Sequence, residues 1–490
     1  MACLSPKHPS SLIARWGLVL LLPFSAACEQ VCVGVGCEED FGSARISLVA
    51  GIDVPEEGTV NPVDGTFVLT GTDALGPNWD VTVLPNEILV GSSNDSSVRS
   101  YKPGAETLLD SNSASGRIDG SRTDDQFGTQ IRPIRNEDGT WDLLVSAPLV
   151  SSAAATRHDG AVYRFEGLGD GFAGQYSADD ALLRMTGEWS GGRFGSTIAV
   201  CPDLDGDGID EWMAAAPRDG KTEALAGQVV LVRSGDLSSD TTQIVVTVLE
   251  TRWTGSDVGE MAGHALSCKD DLNGDGVPDL VVGAPYADQD NETEIDAAGA
   301  IYILSGAQLP DKGPLVDAAI TILRPEEPNE WFGWSVATGD FDGDNIPDLA
   351  VGSPGTEDAT GRVRIWTGNT LASSTNSPAD ITINGIRPGD GFGRTVHAAD
   401  VNGDGIDDLL VGSPFLNPTG STDAFDAGRV ALFFGTDDLV EWSLRSSSLN
   451  ASVLYEEATQ YLRTGINIFS GNFDGDSRDD IVFLQRTSED

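Results

Sequence analysis

The fifteen residues 271–285 read Asp-Leu-Asn-Gly-Asp-Gly-Val-Pro-Asp-Leu-Val-Val-Gly-Ala-Pro, and the same order returns along the chain. Variants occupy 203–217, 340–354, 400–414 and 472–484, and a degenerate one occupies 136–148. A Phe-Gly pair precedes most of them, at Phe127-Gly128, Phe194-Gly195, Phe332-Gly333 and Phe392-Gly393. Ala262-Gly263 and Thr464-Gly465 hold the same place in two others. After each Ala-Pro or Ser-Pro comes a loop and then a run between glycines, as at 160–167, 227–235, 299–306, 361–368 and 428–435. Self-similarity of this kind marks a repeat architecture and overrides a domain count taken from the length of 490 residues.

The repeated unit reads as β-structure. Segments 162–165, 229–232, 301–304 and 363–366 are short, rich in β-branched and aromatic residues, and bounded by glycine. A weaker fourth strand per unit is expected at 244–249, 319–323 and 381–383. No sustained helical period is present. The second strand of the unit occurs seven times, at 88–90, 143–145, 212–214, 280–282, 349–351, 409–411 and 481–483. The seventh is followed by too few residues for a third and fourth strand, while 45–49 and 66–69 form two unassigned strands near the other end. Two strands from each end complete one unit. The expected fold is all-β: a seven-bladed β-propeller of four-stranded antiparallel blades over 44–490, its last blade closed by the N-terminal strands. Closure leaves only short, protected sheet edges.

Phe-Gly, an acidic loop and Gly-Ala-Pro in that order resemble FG-GAP repeats. These build the seven-bladed propeller of integrin α subunits and of many bacterial surface proteins. The resemblance spans nearly all of 44–490, with five good copies, one degenerate and one faint.

The acidic loops have the donors of a hard-cation site. With Asp271, Asn273, Asp275, Val277 and Asp279 as positions 1, 3, 5, 7 and 9, alternate side-chain oxygens converge and position 7 offers its carbonyl. An all-oxygen set of this kind suits Ca²⁺. Position 6 needs a left-handed turn, and it is Gly208, Gly276, Asn345 or Gly405 in four loops; Ser477 is a poorer fit in the fifth. The other sets are Asp203, Asp205, Asp207, Ile209 and Glu211; Asp340, Asp342, Asp344, Ile346 and Asp348; Asp400, Asn402, Asp404, Ile406 and Asp408; and Asn472, Asp474, Asp476, Arg478 and Asp480. The resemblance carries the family's calcium positions onto these residues and implies about five structural ions. An EF-hand is disfavoured, because its position 12 requires a bidentate Glu, and here that place is Ala214, Val282, Val351 or Val411. A single Asp-Gly turn would be an ordinary hairpin turn. Five with one ligand order are not. The Asn136 loop lacks most of the carboxylates and is assigned no ion.

Residues 1–27 read as a secretory signal: Lys7, His8 and Arg15, then apolar 16–24, then Ser25-Ala26-Ala27. Cys28 directly after them resembles the lipidated cysteine of a bacterial lipobox, although Ser25 stands where that pattern prefers Leu. The alternative is plain secretion. Residues 28–43 form a linker. Cys32 and Cys37 are close enough to pair, whereas Cys201 and Cys268 either bridge adjacent repeats or remain two buried thiols.

The chain has 29 Lys and Arg against 77 Asp and Glu, a formal charge of −48. That balance opposes nucleic-acid binding, since a phosphate backbone would be repelled. A protein or glycan partner is expected on the face opposite the calcium loops, where Trp189, Trp253, Trp331, Tyr286, Phe415, Arg218 and Arg252 sit on longer loops. Packing between blades is the competing role for the tryptophans. Membrane attachment is expected through lipid on Cys28, at the cell envelope or outer surface. The expected function is a calcium-stabilised surface binding or adhesion module. No catalytic motif is present; the alternatives are a hydrolase with a channel-mouth site near His264 or His397, or a structural envelope component.

Overall fold

A computed structural model describes residues 44–49, 58–60, 67–70, 79–85, 87–102, 108–109, 113–151, 158–237, 242–288, 297–325, 327–373, 377–417, 426–437, 447–456, 463–473 and 477–486. The signal-like segment 1–27, the linker 28–43 and Cys28, Cys32 and Cys37 lie outside the described residues.

The strands form seven sheets of four or five strands. In the fourth sheet Ala265–Ser267, Leu280–Ala284, Ala300–Leu304 and Thr321–Leu323 follow one another as antiparallel neighbours. The second strands Glu211–Ala216, Leu280–Ala284, Asp348–Ser353 and Asp408–Ser413 are buried along their whole length. A strand covered on both faces has no solvent face to alternate with. This is why Leu-Val-Val-Gly-Ala reads as an unbroken apolar run.

Consecutive sheets pack through apolar clusters. Leu89, Val98 and Ile118 of the first meet Leu143, Val145 and Tyr163 of the second. Met213, Leu231 and Trp253 of the third meet Leu280, Val282 and Tyr302 of the fourth. The series continues through the fifth, sixth and seventh. Phe473 and Val482 of the seventh then pack on Val81, Ile88, Val90 and Tyr101 of the first. The first strands make a matching series: Trp79–Leu84, Ile131–Arg135, Thr197–Cys201, Ala265–Ser267, Ser335–Gly339, Thr395–Ala399 and Ile468–Gly471 each contact the next, and the last contacts the first.

The seventh sheet joins both ends of the described chain. Its strands run Ile468–Gly471, Asp480–Arg486, Ala44–Val49, Phe67–Thr70, with Ala44 opposite Arg486 and Val49 opposite Ile481. The pairing of the two terminal regions is the one expected from the sequence.

Two expectations need correction. The segment 244–249 is not the fourth strand of its unit. Arg252–Thr254 takes that place, beside Gln228–Val232. Gln243–Val245 instead runs parallel to Leu183–Thr186 of the preceding sheet. The pattern recurs in four other sheets. Gly174–Ser177, Lys312–Pro314, Gly58–Val60 and Leu108–Leu109, each from the connection before a fourth strand, also add in parallel to the sheet before their own. A fifth strand therefore covers an outer edge that a four-stranded sheet would leave open.

The glycines of the motif sit where sheets approach most closely. A Cβ on Gly283 would lie 2.3 Å from the carbonyl oxygen of Gly333 in the next sheet. One on Gly299, at φ +98°, would lie 2.1 Å from that of Phe332. Phe127, Phe194, Phe332 and Phe392 are fully buried behind these contacts. Cys201 and Cys268 are disulfide-bonded and tie the third sheet to the fourth. Closing a loop of 67 residues in the unfolded chain is worth about 4 kcal/mol in the chain-entropy account.

Candidate metal centres

Each acidic loop joins the first strand of a sheet to the second. Its position 1 carboxylate organises the turn: Asp271 accepts from Gly274 N–H at 2.7 Å and Gly276 N–H at 2.6 Å. Asp203 does the same with Gly206 and Gly208, and Asp400 with Gly403 and Gly405. Asp340 accepts from Asn345 N–H at 2.8 Å. Position 6 is left-handed as expected, at φ +88° in Gly208, +89° in Gly276, +63° in Asn345 and +88° in Gly405.

Position 9 is buried at the base of the loop. Asp279 accepts from Leu272 N–H at 2.9 Å and Gly306 N–H at 3.2 Å, binding the loop to the end of the third strand. Asp348 and Asp408 repeat this with Phe341 and Gly368, and with Val401 and Gly435. Asp480 accepts from Phe473 N–H at 2.6 Å. Asp474 and Asp476 lie outside the described residues.

Three loops gather carboxylates closely enough to share an ion. Asp203, Asp205 and Glu211 bring ligand oxygens within 4.8 Å of one another, as do Asp271, Asp275 and Asp279, and Asp340, Asp342 and Asp344. In the third of these Asp348 stands outside the triplet, although its oxygens accept from Phe341 N–H and Gly368 N–H much as those of Asp279 accept from Leu272 and Gly306. Among the described residues Asp400, Asp404 and Asp408 are not gathered so closely. There the Asn402 amide donates to Asp404 at 2.8 Å.

Electrostatics and hydrogen bonding fit a cation in these clusters. Glu211 Oε1 is buried and has no hydrogen-bond partner, although it lies among carboxylates. Burial, with Asp205, Asp207 and Asp203 beside it, pushes Glu211 up to about 7. Burial likewise pushes Asp279 and Asp342 up to about 6, Asp408 to about 7 and Asp348 to about 8, each with neighbouring carboxylates adding to the shift. Groups this costly to ionise, all oxygen donors, match a hard divalent cation. The acidic triplets could hold a metal ion.

Sequence reasoning missed the partners of position 5, which follow the third strand. Ser234 hydrogen-bonds Asp207, Ser305 donates to Asp275 at 2.8 Å, and Asn369 donates to Asp344 at 2.7 Å. It also missed position 8. Asp407 accepts from Asp340 N–H at 3.0 Å and donates its own N–H to the Asp340 carbonyl at 2.9 Å, clipping consecutive loops together.

The FG-GAP repeat profile matches residues 267–304, 332–366 and 392–433. The chain carries FG-GAP repeats. It is 39% identical over 176 residues to the phosphatidylinositol-glycan-specific phospholipase D of Homo sapiens, covering 34% of this chain and 20% of that protein. It is 34% identical over 195 residues to integrin alpha-IIb of Homo sapiens, covering 39% of this chain and 18% of that protein. Integrin alpha-5 of Xenopus laevis is 34% identical over 149 residues, covering 30% and 14%. The matches span about a fifth or less of the length of these relatives.

The Phe-Gly pairs of the FG-GAP repeats lie at the sheet ends opposite the acidic loops. There Trp334 packs on His264 at 4.3 Å, on Trp331 at 5.6 Å and on Tyr286 at 6.2 Å between ring centres. Trp331, Tyr286, Phe415 and Arg218 are half-buried and Trp189 is exposed. Trp253 is the second correction: it is fully buried in the third sheet and donates Nε1–H to the Pro310 carbonyl at 3.2 Å. Arg252 neighbours it in the same strand and is bonded to the carbonyls of Val246 and Thr247. His264 Nδ1 lies 3.1 Å from the Trp334 carbonyl, and His397 Nε2 lies 2.8 Å from Ser470 Oγ. Burial holds both imidazoles down at about 4, with Arg394 beside His264 and Lys269 and Arg132 beside His397. No helix among the described residues is long and apolar enough to cross a membrane.

Proposed function

We propose that 44–490 forms a closed seven-bladed propeller, stabilised by calcium in its acidic loops, that serves as an exported binding module through its Phe-Gly face. The circular series of sheet contacts, in which Phe473 and Val482 pack on Val81 and Tyr101, carries the closure. The three carboxylate triplets and the unpartnered Glu211 oxygen carry the metal. Calcium is the ion, because an all-oxygen donor set on one loop suits it, whereas magnesium demands a strict octahedron and retains its waters. The ion's work is structural: it neutralises carboxylates that otherwise repel across one turn. The adhesion role, the signal at 1–27 and lipid on Cys28 belong to the same reading of an envelope protein.

The hydrolase alternative would draw on the His397–Ser470 contact. Among the described residues no carboxylate is hydrogen-bonded to that imidazole to orient it, and its surroundings are cationic. Binding is therefore the better-supported function. The test is thermal unfolding of the full chain in excess calcium, in excess magnesium and after metal stripping. A midpoint raised by calcium and much less by magnesium is expected. Equal midpoints in all three would overturn the metal assignment.

A further inference from the structure

In so acidic a chain the Phe-Gly face holds an unusual group of cations. Arg394 follows one Phe-Gly pair, Arg193 and Arg463 precede the Phe or Thr of two others, and Arg218 follows the Ala-Pro of the third sheet. All four are half-buried. The Arg394 guanidinium lies 4.1 Å from the Trp334 ring centre and 5.8 Å from that of Phe415, and Arg463 lies 5.5 Å from Phe415 on the same ring. Among the described residues no carboxylate pairs with Arg193, Arg218 or Arg394. Arg463 reaches Asp426 at 3.3 Å, and its Nε is buried without an acceptor. The cations stand in two pairs, each close enough for its members to disfavour one another, with Tyr286 beside Arg218 of one pair and Arg394 of the other. Burial pushes Arg394 down to about 10, with Arg463 adding to the shift, and burial lowers Arg193, with Arg218 adding to it.

In a protein with 77 acidic side chains, Arg193, Arg218 and Arg394 have no carboxylate partner among the described residues and form a cationic spot inside an anionic field. A long polyanion would overlap the surrounding negative surface and be repelled. A single carboxylate would meet only the spot. Guanidinium forks bind carboxylates in bidentate fashion, and the half-buried rings of Trp334 and Phe415 beside them leave part of their surface to an apolar neighbour.

We propose that Arg193, Arg218, Arg394 and Arg463, together with Trp334 and Phe415, recognise an acidic peptide segment of a partner protein, one that presents an Asp or Glu carboxylate beside an apolar side chain. The proposal rests on the binding-module reading above and specifies its ligand. The carboxylate takes the place at Arg193, Arg218 and Arg394 that no described carboxylate fills, and the apolar side chain covers the part of the Trp334 and Phe415 rings left exposed.

The test selects dodecapeptides from a random displayed library against the calcium-loaded full chain and measures their affinities by fluorescence anisotropy. Enriched sequences should share an Asp or Glu next to an aromatic or aliphatic residue. Replacing that acid by its amide should weaken binding roughly tenfold or more. Arg394→Gln and, independently, Arg218→Gln should do the same, with Arg218→Gln retaining the calcium-dependent melting of the parent. Enriched peptides without an acid, or insensitive to both substitutions, would overturn this site while leaving a binding module. No enrichment on a chain whose melting still responds to calcium would overturn the site and leave the calcium-stabilised fold standing. Heparin binding that competes with the selected peptides and is lost in Arg394→Gln would overturn the choice of a peptide over a polyanion.

Discussion

The loops at 271–279 and 136–142 occupy the same place between first and second strands, yet they solve one electrostatic problem differently. Each carries a buried Asp at its base, Asp279 in one and Asp142 in the other. Around Asp279 stand Asp271 and Asp275, and among the described residues no positive side chain acts on it. Around Asp142 the chain supplies its own cation. Arg164 Nε donates to Asp142 at 2.7 Å and Arg164 Nη2 to Asn136 at 2.6 Å, while the Asn136 amide donates to the other Asp142 oxygen at 2.9 Å. One guanidinium stands where the other loops gather extra carboxylates. The comparison sharpens the proposed role of the acidic loops: one buried Asp has a positive charge from its own chain, and a loop without such an arginine has a carboxylate cluster that could take it from an ion.

The largest effect should come from removing every ion at once. Saturating a site at a hundred times its dissociation constant adds about 2.7 kcal/mol. Several sites in one chain of this size then amount to a midpoint shift on the order of 10 °C. Differential scanning fluorimetry before and after metal stripping measures it. Hydrogen exchange should localise the loosening to the loops near 203, 271 and 340 and spare the one near 136. Equal loosening at 136 would break the comparison.

Arg164→Met is the reciprocal experiment. The side chains of Asp142 and Arg164 are 2% and 14% exposed, so the substitution leaves a buried carboxylate unpaired. Breaking a buried pair costs about 3–5 kcal/mol. The loss should be the same with and without calcium, as read from denaturant midpoints in both conditions. A loss that calcium repairs would mean that the 136 loop also takes an ion. Asp271→Asn comes next in size. It should remove about 2–3 kcal/mol from the calcium increment, measured by the same titrations, on top of a smaller loss in the metal-free protein, where Gly276 N–H or Gly274 N–H loses its acceptor oxygen.

The fold was legible because the repeat fixed the unit and the seventh second strand, at 481–483, demanded partners that only the other end could supply. The turn at position 6 was legible for a steric reason, since few residues tolerate positive φ. The parallel strands were not. Gln243–Val245 looks like any outer strand, and nothing local says that it joins a sheet some sixty residues behind it. Trp253 was misread for the same reason, because the true fourth strand lay where a loop was expected. Arg164 sits in the third strand, 28 residues from Asn136, so its role at that loop appears only when the strands are paired.

The smallest expected effect concerns protons. Glu211 and Asp408 are pushed up to about 7 and Asp348 to about 8 by burial, against an ordinary value near 4. A carboxylate whose value is raised on folding takes up a proton more readily in the folded chain. Its contribution is full below the unfolded value near 4 and is lost as pH rises through 7 to 8. The metal-free protein should therefore gain stability as pH falls from 8 to 5. The calcium-loaded protein should not share that gain, because a bound cation keeps the same carboxylates ionised. The distance between the two melting curves should accordingly narrow with acidification and widen with base, a trend read by repeating the calcium and metal-stripped melts at each pH. His264 and His397 act in the opposite sense, since both are held neutral down to about 4 and favour unfolding below 6.5. Neither lies in an acidic loop, so their effect is expected to cancel in the difference between the curves. A gap that stayed constant from pH 8 to 5 would detach the buried acids from the ion sites.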